Sequence, residues 1–369
     1  MSKGSKDFLD NGSGLRRTLK QRSITLSFEA REYLAAVETD GSLLAIARNL
    51  FTRNLGLTAG SGAVLVVEVG YEEIGAPILR AAGKEGIDLT VFMVGADQAS
   101  NDSFVERLTT RMSDVDASLF VGSYDGLPGA FRRALIATAK GHRRHAHLAG
   151  ITKSVMLQAV RGDHNEAHRF GETLNRALGD AQRIDVNSAM GTKLHIKLGP
   201  MGWHHASSLI PTGKWSYLPG GQVLTTPVSV DGVLVPDGGV FMPDATEHPR
   251  SPRLAIHFDK GQVTRIEGIE ESDPLMELLG RSTDCKRVGR LAFGTNTGLI
   301  VSVGALLQDR TAPGFHLTLG HPSGELTGAK WSCPVEVPLF VRRADVLADG
   351  TPILVRGRYA RNLREAQTG

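Results

Sequence analysis

Apolar positions along this chain change period twice. Over residues 27–54 they recur at helical spacing, with Leu34, Val37, Leu43, Leu44, Ala47 and Leu50 on one broad face, which predicts helix. Continuous apolar, β-branched runs follow at 63–69 (AVLVVEV), 89–94 (LTVFMV) and 117–121 (ASLFV), each suited to a strand buried on both faces. Helical stretches at 72–82 and 104–111 separate them. Strand and helix in alternation predict a mainly parallel sheet flanked by helices. A long helix is predicted over 155–178.

Past residue 182 the period becomes two. Ile184 and Val186 in 183–188 are answered by Leu194, Ile196 and Leu198 in 193–198 across a Met190-Gly191 turn, which predicts a hairpin. Further strands are predicted at 222–230, 232–235, 253–258, 262–266 and 315–319, with a turn at Asp259-Lys260-Gly261 and one helix at 274–280. The expected organisation is a loosely ordered arm (1–26), an α/β domain (27–181) and a β-rich domain (182–369) that carries the cleft.

Composition adds exclusions. Of 369 residues, 41% are hydrophobic and 22% charged, an ordinary globular balance, and the net charge of +3 is spread along the chain rather than gathered into a basic stripe. Nucleic acid is therefore not an expected partner. No apolar run approaches the roughly 20 residues that span a bilayer, so no membrane partner is expected. The polar, basic N-terminus lacks the apolar stretch of a secretory signal, which points to the cytoplasm. Gly70-Tyr71-Glu72-Glu73 links the first strand to its helix, and its two glutamates would repel a pyrophosphate, so no nucleotide cofactor is expected. Cys285 and Cys333, the only cysteines, read as reduced thiols. A nucleophilic Cys333 paired with His316 is opposed by the adjacent Pro334.

Several histidines invite metal or catalytic readings. The run from His142 to His147 reads as a solvated turn whose arginines oppose metal loading. His164 and His168 share a helical face, but without a zincin pattern they read as structural. Trp203-His204-His205 and Lys214-Trp215-Ser216-Tyr217 are either surface loops or cleft linings able to stack on a ring or peptide. His321, Glu325 and Glu336 form an alternative ligand set.

Four stretches in order, LPGGQVLTTP (218–227), VGRLAFGTN (288–296), LLQDRTAPGFHLTLG (306–320) and WSCPVEV (331–337), together resemble the aminopeptidase T family of metallopeptidases, whose fold is shared with 2,5-dihydroxypyridine dioxygenases. The resemblance implies metal ligands in these stretches. At the family's positions this chain carries Gln222 and Arg290 in place of two glutamates, Asp309 and His316 in place of a glutamate and a histidine, and Val335 and Val337 in place of a histidine and an aspartate, or Glu336 if the alignment slips by one. Asp309 and His316 are the retained candidates for a metal, so the expectation is no cofactor or a single weakly held divalent cation. Two cations beside the Arg290 guanidinium would be repelled.

The resemblance further implies that Arg290, Asp309, His316 and Gln222 converge. Either Arg290 anchors a carboxylate and His316, oriented by Asp309, acts as acid or base, or Arg290 and Asp309 form a structural ion pair in an abandoned metal cavity. Gln222, Arg290, His204, His205, Trp215 and Glu336 are the expected substrate contacts. The expected function is a divergent enzyme acting on a small carboxylate-bearing molecule, amino-acid-derived or heteroaromatic, by hydrolysis or rearrangement rather than redox. The alternatives are an inactive binding or partner protein and an aminopeptidase with displaced ligands. The family also implies a homodimer.

Overall fold

The computed structural model describes residues 27–242, 254–268, 273–299 and 303–365, so the expected arm at 1–26 lies outside the described residues. The chain forms two units, one of residues 1–153 with 210–215, the other of 154–209 with 216–369.

In the first unit, strands Gly62–Glu68, Asp88–Val94, Ala117–Gly122 and Arg144–Ala149 form a parallel sheet, with the first strand between the second and third. Trp215, the last residue of this unit, adds at the far edge. Val64, Leu65, Val66 and Val67 are all fully buried, as a strand covered on both faces requires. Helices Glu72–Glu85 and Asp102–Ser113 lie where the pattern predicts them; the former stops at Gly86 in the left-handed region, the latter starts at Asn101, whose side chain accepts from the Phe104 N–H.

Two expectations for this unit need correction. The helix predicted over 27–54 is split into Ser27–Ala36, Gly41–Asn49 and a π-helical turn at Leu50–Asn54, because Asp40 caps a new start at Gly41, its side chain accepting the Ser42 N–H. The run 142–147 is no solvated turn: Arg144–Ala149 is a strand, and His145 and His147 are buried on one of its faces. Both nitrogens of His145 have partners: Ser118 Oγ lies 2.8 Å from His145 Nδ1, and His145 Nε2 lies 3.0 Å from His147 Nδ1. His147 also stacks on Phe120, ring centroids 4.8 Å apart. Burial holds His145 down to about 3.

The second unit holds two antiparallel sheets. In spatial order the larger contains Gln262–Glu267, Ala255–Asp259, Ser229–Leu234, Lys193–Lys197, Arg183–Ser188, Ala344–Ala348, Thr351–Val355 and Arg358–Tyr359. The smaller contains Gly239–Val240, Glu336–Val341, Phe315–Gly320, Val288–Gly294, Gln222–Thr225 and His204–Ala206. Alternate residues of both, such as Ile184, Val186, Leu194 and Ile196 from one and Leu291, Phe293, Leu317 and Leu339 from the other, merge into one apolar core. Helices His164–Leu178 and Pro274–Gly280 contribute Phe170, Leu174, Leu178, Leu275 and Leu278.

That core moves the boundary from the expected 181/182 to 153/154, because Phe170, Leu174 and Leu178 pack with the second unit's strands. The helix predicted over 155–178 is interrupted after a π-helical turn at Met156–Val160; Asp163 caps a fresh start, accepting from the N–H groups of Asn165 and Glu166. His164 Nε2 meets the Val160 carbonyl at 2.7 Å across the break. The strand predicted over 222–230 is also two strands: Gln222–Thr225 belongs to the small sheet and Ser229–Leu234 to the large one, with Thr226-Pro227-Val228 crossing between them.

Candidate functional site

The small sheet positions the site through its register. Residues directly opposite in an antiparallel pair point to the same face. One rung runs His204, Leu224, Ala292, His316, Phe340 across five strands. The rung of Arg290, Thr318 and Pro338 lies beside it, and Gly320 with Glu336 follows. Gln222 pairs with Gly294 and Ala206 on the same face. Gln222, His204, Arg290, His316 and Glu336 therefore share one face, while Val223, Phe293, Leu291, Leu317 and Leu339 line the opposite, core-facing one.

The Gly220-Gly221 turn sets Gln222 at its edge for steric reasons. A Cβ at Gly220 would meet the Ser207 backbone at 2.7 Å, and Gly221 has φ of +125°.

Arg290 is the centre of the polar part. Its guanidinium donates to Ser323 Oγ and Glu336 Oε1, and more distantly (3.5 Å) to Thr318 Oγ1. A bulge between Val288 and Arg290 breaks the regular register just before it. Arg290 and Glu336 side chains are 17% and 24% exposed, so the pair is shielded yet within reach of solvent. Burial by itself would raise the Glu336 carboxyl, but Arg290, reinforced by His321 and Arg310, holds it below its ordinary value. Arg310 stacks over Tyr217 at 4.0 Å. His321 Nδ1 accepts the Ser323 N–H at 3.0 Å, which leaves the ring proton of a neutral His321 on Nε2.

Asp309 and His316 do not join this group as expected. Asp309 is fully buried and its two carboxylate oxygens accept the N–H groups of Val303 and Gly304, each at 2.9 Å, while its charge acts on Arg342. Among the described residues no hydrogen bond joins it to His316 and no ion pair joins it to Arg290, whose carboxylate partner there is Glu336. His316 is 2% exposed, packs edge-on against Phe340, and has Nε2 3.4 Å from Arg342 Nη1. Burial first, and then the Arg342 charge, hold it well below the ordinary imidazole value, so it is neutral.

His204 and His205, adjacent in sequence, point to opposite faces. His205 stacks on His168 with centroids 5.1 Å apart against the helix at Gly171, where a Cβ would collide with its ring. Burial, then His168 and His204, bring it down to about 4. The contacts its ring makes here are packing contacts with His168 and the helix at Gly171. Trp215 belongs to the first unit, where its ring meets the edge of His147. The groups that the sequence reading missed are Ser323, Thr318, Arg310 and Arg342. Strand alternation from Arg290 and His316 carries the signal for Thr318, but nothing local marks Ser323 or Arg310.

A profile of the family described as NicX, 2,5-dihydroxypyridine 5,6-dioxygenase, matches residues 151–291, a span that includes Gln222 and Arg290. Among solved structures, 2,5-dihydroxypyridine dioxygenase from Pseudomonas putida KT2440 aligns with a TM-score of 0.66 at 16% identity, covering 86% of this chain and 97% of its own. Wild-type AmpT from Thermus thermophilus aligns with a TM-score of 0.62 at 17% identity, covering 86% and 99%. This chain has the fold that these two proteins share. No curated protein matches it in sequence.

Within that fold, the side chains on the Arg290 face do not fit a divalent cation. A guanidinium offers no lone pair and repels a metal, and the nearest carboxylate, Glu336, is bonded to it. Among the described residues no three His, Cys, Asp or Glu side chains gather as a donor set.

Proposed function

We propose that the chain is a divergent enzyme of this fold that acts on a small carboxylate-bearing molecule, amino-acid-derived or heteroaromatic, by hydrolysis or rearrangement. One observation carries the reading: Arg290, Arg310 and His321 surround Glu336 on a partly open face, so positive charge predominates among these four groups. Such surroundings favour an anion. The planar guanidinium of Arg290 grips a carboxylate in two parallel bonds or steadies an oxyanion that develops during reaction. Glu336, kept ionised, accepts a proton, and His321 Nε2–H donates a hydrogen bond to negative charge that develops on the substrate. Gln222 and His204, on the same face, are the proposed polar contacts at its rim. His316 is left as a neutral lining residue.

A second reading is favoured by the engagement of both Arg290 Nη atoms with Ser323, Thr318 and Glu336: a closed ion pair that serves a binding protein without catalysis.

A thermal-shift screen of pyridine carboxylates and N-substituted amino acids, each beside its neutral amide, tests the first reading. The expected result is a rise in Tm with carboxylates that the amides do not give and that Arg290→Ala abolishes. A screen in which no carboxylate shifts the wild type, or in which Arg290→Ala shifts equally, sinks it. With a ligand in hand, Glu336→Gln separates the readings: an enzyme loses turnover, whereas a binding protein shows no turnover to lose.

A further inference from the structure

The chain's two cysteines, 48 positions apart, are brought into contact: Cys285 Sγ and Cys333 Sγ lie 3.1 Å apart, both buried. Free cysteines are commonly buried as small apolar groups, yet these two are not in a purely apolar setting. Ser282 Oγ lies 3.2 Å from Cys285 Sγ, and the Val335 N–H donates to Cys333 Sγ at 3.3 Å. A disulfide requires sulfurs about 2.05 Å apart, so roughly 1 Å of approach separates contact from bond. Cys285 sits on the helical turn Thr283–Lys286, just before strand Val288–Gly294, and Cys333 just before strand Glu336–Val341; the two strands flank Phe315–Gly320 on either side. Ser332 and Pro334 are exposed, so Cys333 lies directly beneath the surface.

We propose that Cys285 and Cys333 are a modification site: a dithiol that a small peroxide converts to an intrachain disulfide. In the first step the Cys333 thiol gives up its proton and the thiolate attacks a peroxide oxygen of hydrogen peroxide; the O–O bond breaks, a sulfenic acid forms, and the leaving hydroxide takes up that proton as water. In the second the Cys285 sulfur attacks that sulfenic sulfur, the S–S bond forms, and the hydroxyl leaves as water with the Cys285 proton. In sum, two thiols and one peroxide give one disulfide and two waters. Burial, followed by the bond to Cys285, pushes the Cys333 thiol up to about 11, so the reaction is slow at neutral pH and accelerates as pH rises. The loop so closed contains Arg290, Arg310, His321 and Ser323 and ends three residues before Glu336, so the bond tethers the backbone that carries the cleft.

The test is mass spectrometry of the full-length protein, and it uses no cleft ligand. Protein treated with hydrogen peroxide at pH 8.5 is denatured in iodoacetamide and weighed intact. The expected result is a loss of two hydrogens per chain with neither cysteine alkylated, reversed by dithiothreitol, and a Tm several degrees above the reduced form. Cys285→Ala and Cys333→Ser should each abolish it, the second variant standing in if the first does not fold. Complete alkylation of both cysteines after peroxide would overturn the proposal. So would separate conversion of each to sulfinic or sulfonic acid, or disulfide-linked dimers on a non-reducing gel.

Discussion

Arg290 was visible in the sequence as a residue out of place in a stretch resembling a metal-binding one, but its partner was not. Asp309, named as partner for its carboxylate type, is committed to the Val303 and Gly304 amides, and Glu336 takes the guanidinium instead. The reason is geometric: Glu336 lies two strands from Arg290 on the same face, and only sheet register reveals that. Because the pair is shielded, removing either member leaves the other's charge poorly compensated. A double-mutant cycle on Arg290→Ala and Glu336→Ala, read by urea denaturation, should return a coupling of about 1–3 kcal/mol. Additive losses would mean that solvent screens the pair and that it organises nothing.

At the level of elements, runs of β-branched residues made the parallel strands legible, and period-two alternation made the 183–197 hairpin legible. Strand Arg144–Ala149 escaped because His145 and His147 occupy inward positions where the pattern demands apolar side chains. The crossing at 226–228 escaped because alternation continues through it from one sheet to the other. The opposite facing of His204 and His205 follows from the same alternation, because both lie on the short strand His204–Ala206. Helix His164–Leu178 accommodates the His205 ring only because residue 171 is glycine. Ala is favoured over Gly inside a helix by about 1 kcal/mol, yet Gly171→Ala should destabilise by ~1–3 kcal/mol through overpacking. In a His205→Ala background the same change should become neutral or stabilising. A Gly171→Ala protein as stable as the wild type by calorimetry would show that the ring moves aside freely.

Across the whole molecule, three histidines, His145 and His316 buried and His205 half-buried, act in the same direction. His145, at about 3 beside Ser118 and His147, His205, at about 4 beside His168 and His204, and His316, well below 6.5 beside Arg342, all bind protons less readily folded than unfolded. Their contribution to stability is whole above pH 6.5 and is lost as pH falls toward their folded values, by up to about 1.4 kcal/mol per pH unit for each. Denaturation midpoints should therefore fall between pH 6.5 and 4.5, a window above the ordinary carboxylate range, and His316→Gln should fall less steeply. A midpoint that is flat or rises on acidification would contradict this. Metal content belongs to the same scale. Arg290 and Gln222 on one face predict less than one tightly held divalent ion per purified chain, and two equivalents of zinc, cobalt or manganese after dialysis would refute the account of the cleft. No helix among the described residues is long and apolar enough to cross a membrane. The homodimer implied by the resemblance is checked by sedimentation, where a monomeric mass at micromolar concentration counts against it.

The measurement closest to the central claim is calorimetric titration of the tightest carboxylate from the screen into wild-type protein and Arg290→Lys. Lysine keeps the charge but loses the planar fork. If Arg290 grips the carboxylate, affinity falls at least tenfold, about 1.4 kcal/mol, while the variant remains folded. If Arg290→Lys binds as tightly as the wild type, Arg290 is a structural plug and the anion-anchor account is wrong.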